Sequence, residues 1–286
     1  MELTTLKVNS EEIVAIYTSH GYVALDSFHR EDGGRWPRTL IELIREGLMD
    51  ELGEWYRNGG VHKLANLPVI PHKEAVFAPL YRNPEKIWGI GMNYVQDPAE
   101  LELKNPDDEP VGFMKPSTTL IGPGDSIMLP DDCGTITAEA ELTIVIGKKC
   151  RNISESEAPS VVAGFTMALD MTAADIHSKN PRFLTRAKSY DTFFSFGPHL
   201  ITVDEIPDVL DLNVFTVLNG EKVHQNRIFN MKYRPWFTVA FHSQFMTLLP
   251  GDLIMTGTPG PVIIRNGDRV ECRINDFLPL VNPVVG

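Results

Sequence analysis

The spacing of hydrophobic and polar positions changes character twice along the chain. Between Ile13 and Leu25, β-forming residues alternate with small or polar ones around His20-Gly21, which predicts a short hairpin. From Leu40 the apolar positions Leu43, Ile44, Leu48, Leu52 and Trp55 recur at three and four residues, which predicts a helix with Gly59-Gly60 as its stop. Pro68, Pro71 and Pro79 then exclude a helix or a central strand over 67–79, because proline lacks the N–H that either ladder needs. That stretch is expected to be a linker. It would close a small N-terminal α+β domain over residues 1–80 and open the main domain over 81–286.

From Ile87 onward, short apolar runs bounded by Gly, Pro and Asp follow one another. Strands are expected at residues 87–90, 112–114, 126–129, 142–146, 164–169, 199–202, 212–218, 253–256 and 269–274. Helices are expected near 154–162, where Ser154 and Glu157 stand at capping-box spacing, and near 237–246. The predicted class is mixed and β-rich, α+β. Acidic residues and prolines crowd together over 97–110, and this segment is expected to act as a lid.

Composition narrows the partners. The chain has 286 residues, 43% of them hydrophobic, enough for one large core. A net charge of -12 excludes nucleic acid as an expected partner, and an anionic substrate would need a local patch of cations. Cys133, Cys150 and Cys272 have no metal-binding spacing and are expected to be idle thiols. The first residues lack a basic and then apolar leader, and no run approaches membrane-spanning length, so no membrane partner and a cytoplasmic location are expected.

The densest chemistry is Glu139-Ala140-Glu141, placed just before the apolar run 142–146. A strand has a period of two, so both carboxylates point to one face, where like charges resist ionising unless a cation lies between them. Asp170 ends a second apolar run, 161–169. Three oxygen ligands at the ends of core strands suit a hard ion, Mg²⁺ or Mn²⁺, better than zinc. The same spacing also fits a solvated strand edge with a turn aspartate.

The surrounding motifs decide between these readings. Gly91-Met92-Asn93-Tyr94, Phe113-Met114-Lys115, Gly122-Pro123-Gly124-Asp125, Glu139-Ala140-Glu141-Leu142 and Ala163-Gly164-Phe165-Thr166 before Asp170 occur in this order. Lys188-Ser189-Tyr190-Asp191, Asn219-Gly220-Glu221, Gln225, Pro250-Gly251-Asp252 and Thr256-Gly257-Thr258-Pro259 follow. Over residues 85–286 the chain resembles the fumarylacetoacetate hydrolase superfamily. The resemblance implies a rolled β-sheet with a pseudo-barrel core, usually a homodimer. It implies that Glu139, Glu141 and Asp170 hold Mg²⁺ or Mn²⁺, that Lys188 and Lys115 supply cationic groups, and that Tyr94, Thr258 and Gln225 are substrate contacts. The implied substrate is a small 2-oxo or β-dicarbonyl acid, and the implied reaction is metal-dependent hydrolysis of a C–C bond.

The chain departs from the pattern at two places. Hydrolytic relatives carry a His and then a Glu after the Gly-x-Asn-Tyr motif, a dyad that activates water; here those positions are Asp97 and Glu100. An unperturbed aspartate titrates near 3.9 and an imidazole near 6.5, so Asp97 is the weaker general base. The second departure is Thr172-Ala173-Ala174-Asp175, where relatives often read Ser-Ala-Arg-Asp; nearby His177 is then a candidate substrate contact or base. Loss of the imidazole favours an alternative, decarboxylation or enol–keto isomerisation of a 2-oxo dicarboxylate such as oxaloacetate, which needs no attacking water. A third reading is an inactive protein that binds metal and a small acid.

Overall fold

The first residues already join the main sheet. In the computed structural model, which describes residues 1–103, 105 and 107–286, β1 (Glu2–Val8) and β2 (Glu11–Thr18) form a hairpin. Its turn places Asn9 and Ser10 at φ of 50° and 69°, the paired left-handed conformations of a tight hairpin turn. The expected second hairpin follows, from β2 to β3 (Gly21–Ala24). Only glycine fits at position 21, where a Cβ would lie 2.2 Å from the carbonyl oxygen of Ile70.

The expected helix is broken into α1 (Leu40–Arg45) and α2 (Met49–Trp55). Gly47, at φ 73°, turns the chain between them, and Thr39 with Glu42 completes a capping box at the start of α1. Gly59, at φ 100°, breaks the helical path where a stop was expected, but one further turn, α3 (Val61–Leu64), follows it.

Beyond residue 80 the chain is dominated by strands: β4 (Ile87–Gly91), β5 (Val111–Lys115), β6 (Leu120–Ile121), β7 (Ile127–Met128), β8 (Ile136–Ile146) and β9 (Val162–Ala173). Short helices α4 (Ala174–Lys179) and α5 (Leu184–Lys188) lead to β10 (Phe194–Ile201), β11 (Asn213–Leu218) and β12 (Glu221–Arg227). Then come α6 (Pro235–Phe245), β13 (Leu253–Met255), β14 (Pro261–Ile264), β15 (Arg269–Ile274) and β16 (Leu280–Val285). The β-rich α+β class is as the sequence pattern requires.

Several boundaries differ from expectation. No helix spans 154–162: Glu157 accepts from both the N–H and the hydroxyl of Ser154, yet only a single 3₁₀ turn, Ala158–Val161, forms. Pro159 is the cause, since it has no N–H to continue a helical ladder. β8 starts at Ile136 rather than at Leu142, and β9 runs past Asp170, so all three acids lie inside strands rather than at their ends.

Strand order in the larger sheet is β3-β2-β1-β10-β9-β8-β13-β4-β5, with β14 added to β8 and β6 to β10. A five-stranded sheet, β12-β11-β15-β16-β7, packs through β11 and β15 onto β8 and β9. β9 is buried at every position. β1 pairs with β10, with Glu2 opposite Ile201 and Thr4 opposite His199, so residues on both sides of position 80 share one sheet. They share a core as well: Leu3, Ile16, Leu43 and Leu52 pack in one cluster with Phe194, Phe196, Leu253 and Met255. β5 lies four strands from β9 along the hydrogen-bonded path, yet Lys115 at its end reaches Asp170 on β9. The sheet therefore rolls back on itself, which brings the acids and the lysines together.

Candidate active site

Register builds the acidic centre. Glu139 of β8 sits directly opposite Asp170 of β9, and Glu141 follows two residues along on the same face. Like charges facing each other across a ladder are destabilising, more so where water is excluded. Asp170 and Glu141 are 0% and 2% exposed, so the repulsion needs internal compensation. Among the described residues these three acids are the one group whose candidate ligand atoms all lie within 4.8 Å of one another.

Two buried lysines supply that compensation. Nζ of Lys115 donates to Oδ1 of Asp170 at 2.6 Å and to the carbonyl oxygen of Met171 at 3.2 Å. Nζ of Lys188 donates to Oδ2 of Asp170, to Oε2 of Glu139 at 2.9 Å and to the hydroxyl of Thr172 at 2.8 Å. With all five groups ionised the cluster carries one net negative charge. Burial lowers Lys115 to about 8 even though Asp170 pulls the other way. Burial also acts to lower Lys188, but Asp170 and Glu139 together hold it above the usual lysine range. Burial acts to raise Asp170, and the two ammonium groups more than offset it, leaving the carboxyl below its ordinary range. Glu141 has no lysine of its own. Burial, then Asp170 and Glu139, push its carboxyl well up, and the charge of Lys188, followed by the N–H of Gly257 at 2.5 Å from Oε2, offsets only part of this.

This donor set fits a hard divalent cation. Every ligand atom is a carboxylate oxygen, and all three lie within 4.8 Å of one another, close enough for one ion to be shared between them. The pocket already accepts positive charge, since one ammonium touches two of the three acids.

Around this centre the other expected residues divide. The hydroxyl of Tyr94 is buried without a hydrogen-bond partner among the described residues, and burial and then the charge of Glu141 hold it well above the normal phenol range. It is therefore a protonated donor. Thr258 is half-buried beside Gly257, and its hydroxyl is held in its own turn, accepting from the N–H of Gly260 at 3.2 Å. Gln225 is exposed on β12, whose alternate residues His224 and Asn226 reach Pro261 and Val95 instead. His177 is half-buried on α4.

Asp97 and Glu100 stand apart. Both are exposed at the start of the segment expected to be a lid, of which residues 104 and 106 lie outside the described residues. The carboxylate of Asp97 accepts from the N–H of Ala99 at 2.9 Å, and its own N–H donates to Glu100 at 3.1 Å. Among the described residues neither is hydrogen-bonded or ion-paired to the acidic cluster.

Sequence reasoning missed two supporting residues. Thr172 donates to Oε2 of Glu139 at 3.3 Å while accepting from Lys188, and the ring of Phe113 lies 4.6 Å from Nζ of Lys188. A signal was available for each: Thr172 stands two residues after Asp170 and Phe113 two before Lys115, so a period of two places each on the functional face. Phe113 can lie across β4 because residue 89 is glycine, where a Cβ would come within 2.2 Å of its ring.

The wider likenesses agree with this geometry. The human protein named oxaloacetate tautomerase FAHD2A, mitochondrial, is 36% identical over 259 residues, covering 87% of this chain and 80% of its own. A maleylpyruvate hydrolase from Sphingobium sp. SYK-6, solved with manganese(II) and pyruvate, matches at a TM-score of 0.80 and 27% identity, covering 100% of this chain and 99% of that one. A 5-carboxymethyl-2-hydroxymuconate delta-isomerase from Mycobacterium smegmatis matches at 0.78 and 26%, covering 100% and 98%. The family model for the C-terminal part of fumarylacetoacetate (FAA) hydrolase matches residues 86–285, the stretch that carries both lysines and all three acids. The chain belongs to the fumarylacetoacetate hydrolase family of enzymes.

Proposed function

We propose that the protein interconverts the keto and enol forms of a small 2-oxo dicarboxylate of the oxaloacetate type, using Mg²⁺ or Mn²⁺ held by Glu139, Glu141 and Asp170. The observation that carries this reading is the contrast between the exposed Asp97, its carboxylate spent on its own turn, and the buried proton-bearing groups at the acidic centre. Splitting a C–C bond with water needs a base to activate that water, and Asp97 is poorly placed for it. Keto–enol exchange needs only a group to carry the proton and a sink for negative charge on oxygen. When bound, the cation supplies that sink as a Lewis acid. Lys188 remains an ammonium and adds to it, Lys115 carries the proton, and the Tyr94 hydroxyl donates to a substrate oxygen. Burial of the site keeps competing water out and strengthens each of these contacts.

The activity in the human relative's name supports the tautomerase reading. The pyruvate bound to the maleylpyruvate hydrolase supports a 2-oxo acid as substrate, and keeps acylpyruvate hydrolysis as the second reading. The test follows loss of oxaloacetate enol absorbance, release of CO₂ and cleavage of a panel of acylpyruvates separately, each with Mg²⁺ or Mn²⁺. The expected result is metal-dependent enol loss without CO₂ or cleavage products, unchanged in Asp97→His. Cleavage that rises in Asp97→His while enol loss stays at background would establish hydrolysis instead.

A cytoplasmic homodimer belongs to the same proposal. Among the described residues no helix is long and apolar enough to cross a membrane. Phe237, Phe241 and Phe245 form a ladder along α6, and Phe245 remains 52% exposed next to Trp88. An apolar face of this kind suits a second copy. Phe245→Asp is expected to shift the protein from dimer to monomer in sedimentation; a dimer that persists unchanged removes this face from consideration.

A further inference from the structure

The Gly91–Tyr94 motif holds a residue that the proposed reaction leaves without a role. Asn93 is 1% exposed, and every polar group of its side chain is engaged. Its Nδ2 donates to the carbonyl oxygens of Tyr233 at 3.0 Å and Thr256 at 2.7 Å, and its Oδ1 accepts from the N–H of Tyr233 at 2.8 Å. Its own carbonyl accepts from the N–H of Lys232 at 2.7 Å. One amide thus joins the end of β4, the segment before α6 and the end of β13.

The third of these connections bears on the acidic centre. Thr256 is fixed from two sides, because its N–H and its hydroxyl both donate to the carbonyl oxygen of Leu142, at 3.0 and 2.8 Å, while its own carbonyl accepts from Asn93. The next residue, Gly257, donates its N–H to Oε2 of Glu141. Gly257 has φ 99°, and a Cβ there would come within 2.9 Å of Cβ of Asn93 and 3.2 Å of the Ile90 carbonyl oxygen. The approach of these two strand ends is therefore built around the pair Asn93–Gly257. Glu141, the acid no lysine touches, depends on that N–H for orientation.

We infer that Asn93 is a positioning residue for the metal site, acting through the Thr256–Gly257 peptide to aim the carboxylate of Glu141. The inference rests on the proposed metal reading. A group that orients a ligand typically changes metal affinity by about 10–100-fold when removed. A group that only holds two strand ends together changes the melting temperature and leaves the affinity of the folded protein alone.

The two roles separate in a double-mutant cycle on the full-length chain, with Mn²⁺ affinity read by calorimetry and the metal-free melting temperature read in parallel. Asn93→Ala is expected to weaken Mn²⁺ binding by at least about tenfold in the wild-type background. In the Glu141→Gln background the same change is expected to alter affinity less than about twofold, because the ligand it aims has already been neutralised. Asn93→Ser, which keeps a short hydroxyl donor, is expected to fall between, and it carries the same cycle if the alanine variant does not fold. Equal losses in both backgrounds, or a lowered melting temperature with unchanged affinity, would overturn the relay and leave the metal assignment standing. A wild-type protein that binds no Mn²⁺ overturns both.

Discussion

Replacing Glu141 by glutamine is expected to abolish turnover while leaving the metal-free protein at least as stable as before. The two effects have one origin. In the metal-free protein the carboxylate of Glu141 is buried beside two other acids, and the N–H of Gly257 gives it only partial compensation. A neutral amide of nearly the same shape can accept from that N–H and relieves the repulsion. A hard cation loses an anionic oxygen, and with it the Lewis-acid contribution of several kcal/mol, so turnover falls by at least about 10²-fold. Calorimetry with Mn²⁺, oxaloacetate enol loss and a metal-free melt examine the three parts together. Wild-type turnover with metal would remove Glu141 from the ligand set, and a collapse of the metal-free melt would make it a structural acid.

Asp170→Ala is expected to act in the opposite way, crippling the fold before chemistry can be assessed. Among the described residues Asp170 is the one acid ion-paired to both lysines, and with its carboxylate gone Lys115 loses its ion-pair partner in a fully buried position. Breaking a buried pair from one side costs about 3–5 kcal/mol, because the remaining charge stays buried. For a chain of this size that is a fall of about 6–10 °C in melting temperature. Adding Lys115→Met, which replaces the stranded ammonium with an apolar chain of similar volume, is expected to recover a substantial part of the loss. Additive losses in the double variant would show that the two groups are not coupled.

The contrast between these acids marks how far the sequence could be read. Glu139 and Glu141 on one face followed directly from a period of two. Their neighbour Asp170 also came from the sequence, but the pairing of Glu139 with Asp170 depends on a register that only the folded sheet sets. The boundaries of β8 were misjudged because Thr137 and Glu139 break the apolar run at its start. Those polar side chains turn towards the site while Ile136, Ala138 and Ala140 stay in the core. β12 was missed for a related reason: the run Glu-Lys-Val-His-Gln-Asn-Arg has no apolar face and is a strand by virtue of pairing with β11. The supporting roles of Thr172, Phe113 and Asn93 depend on contacts between distant segments. The contact of Phe113 with Lys188 exists because β5 curls round to β9, and no local pattern encodes that closure.

The seam between β1 and β10 sets a limit on how the chain can be divided. β10 is the immediate neighbour of β9, which carries Asp170, and its other side is covered by β6 at Phe194 and Ser195 and by β1 over His199–Ile201. A shortened chain starting near residue 81 would free the edge of β10 over His199–Ile201 and strip Leu3, Ile16, Leu43 and Leu52 from the cluster that holds Phe194 and Phe196, one strand from Asp170. That exposed edge is expected to make the fragment prone to strand addition from another copy of itself. The opening residues thus complete the layer behind the acidic centre, and the stretch that defines the family is expected to lose stability when it is cut away from them.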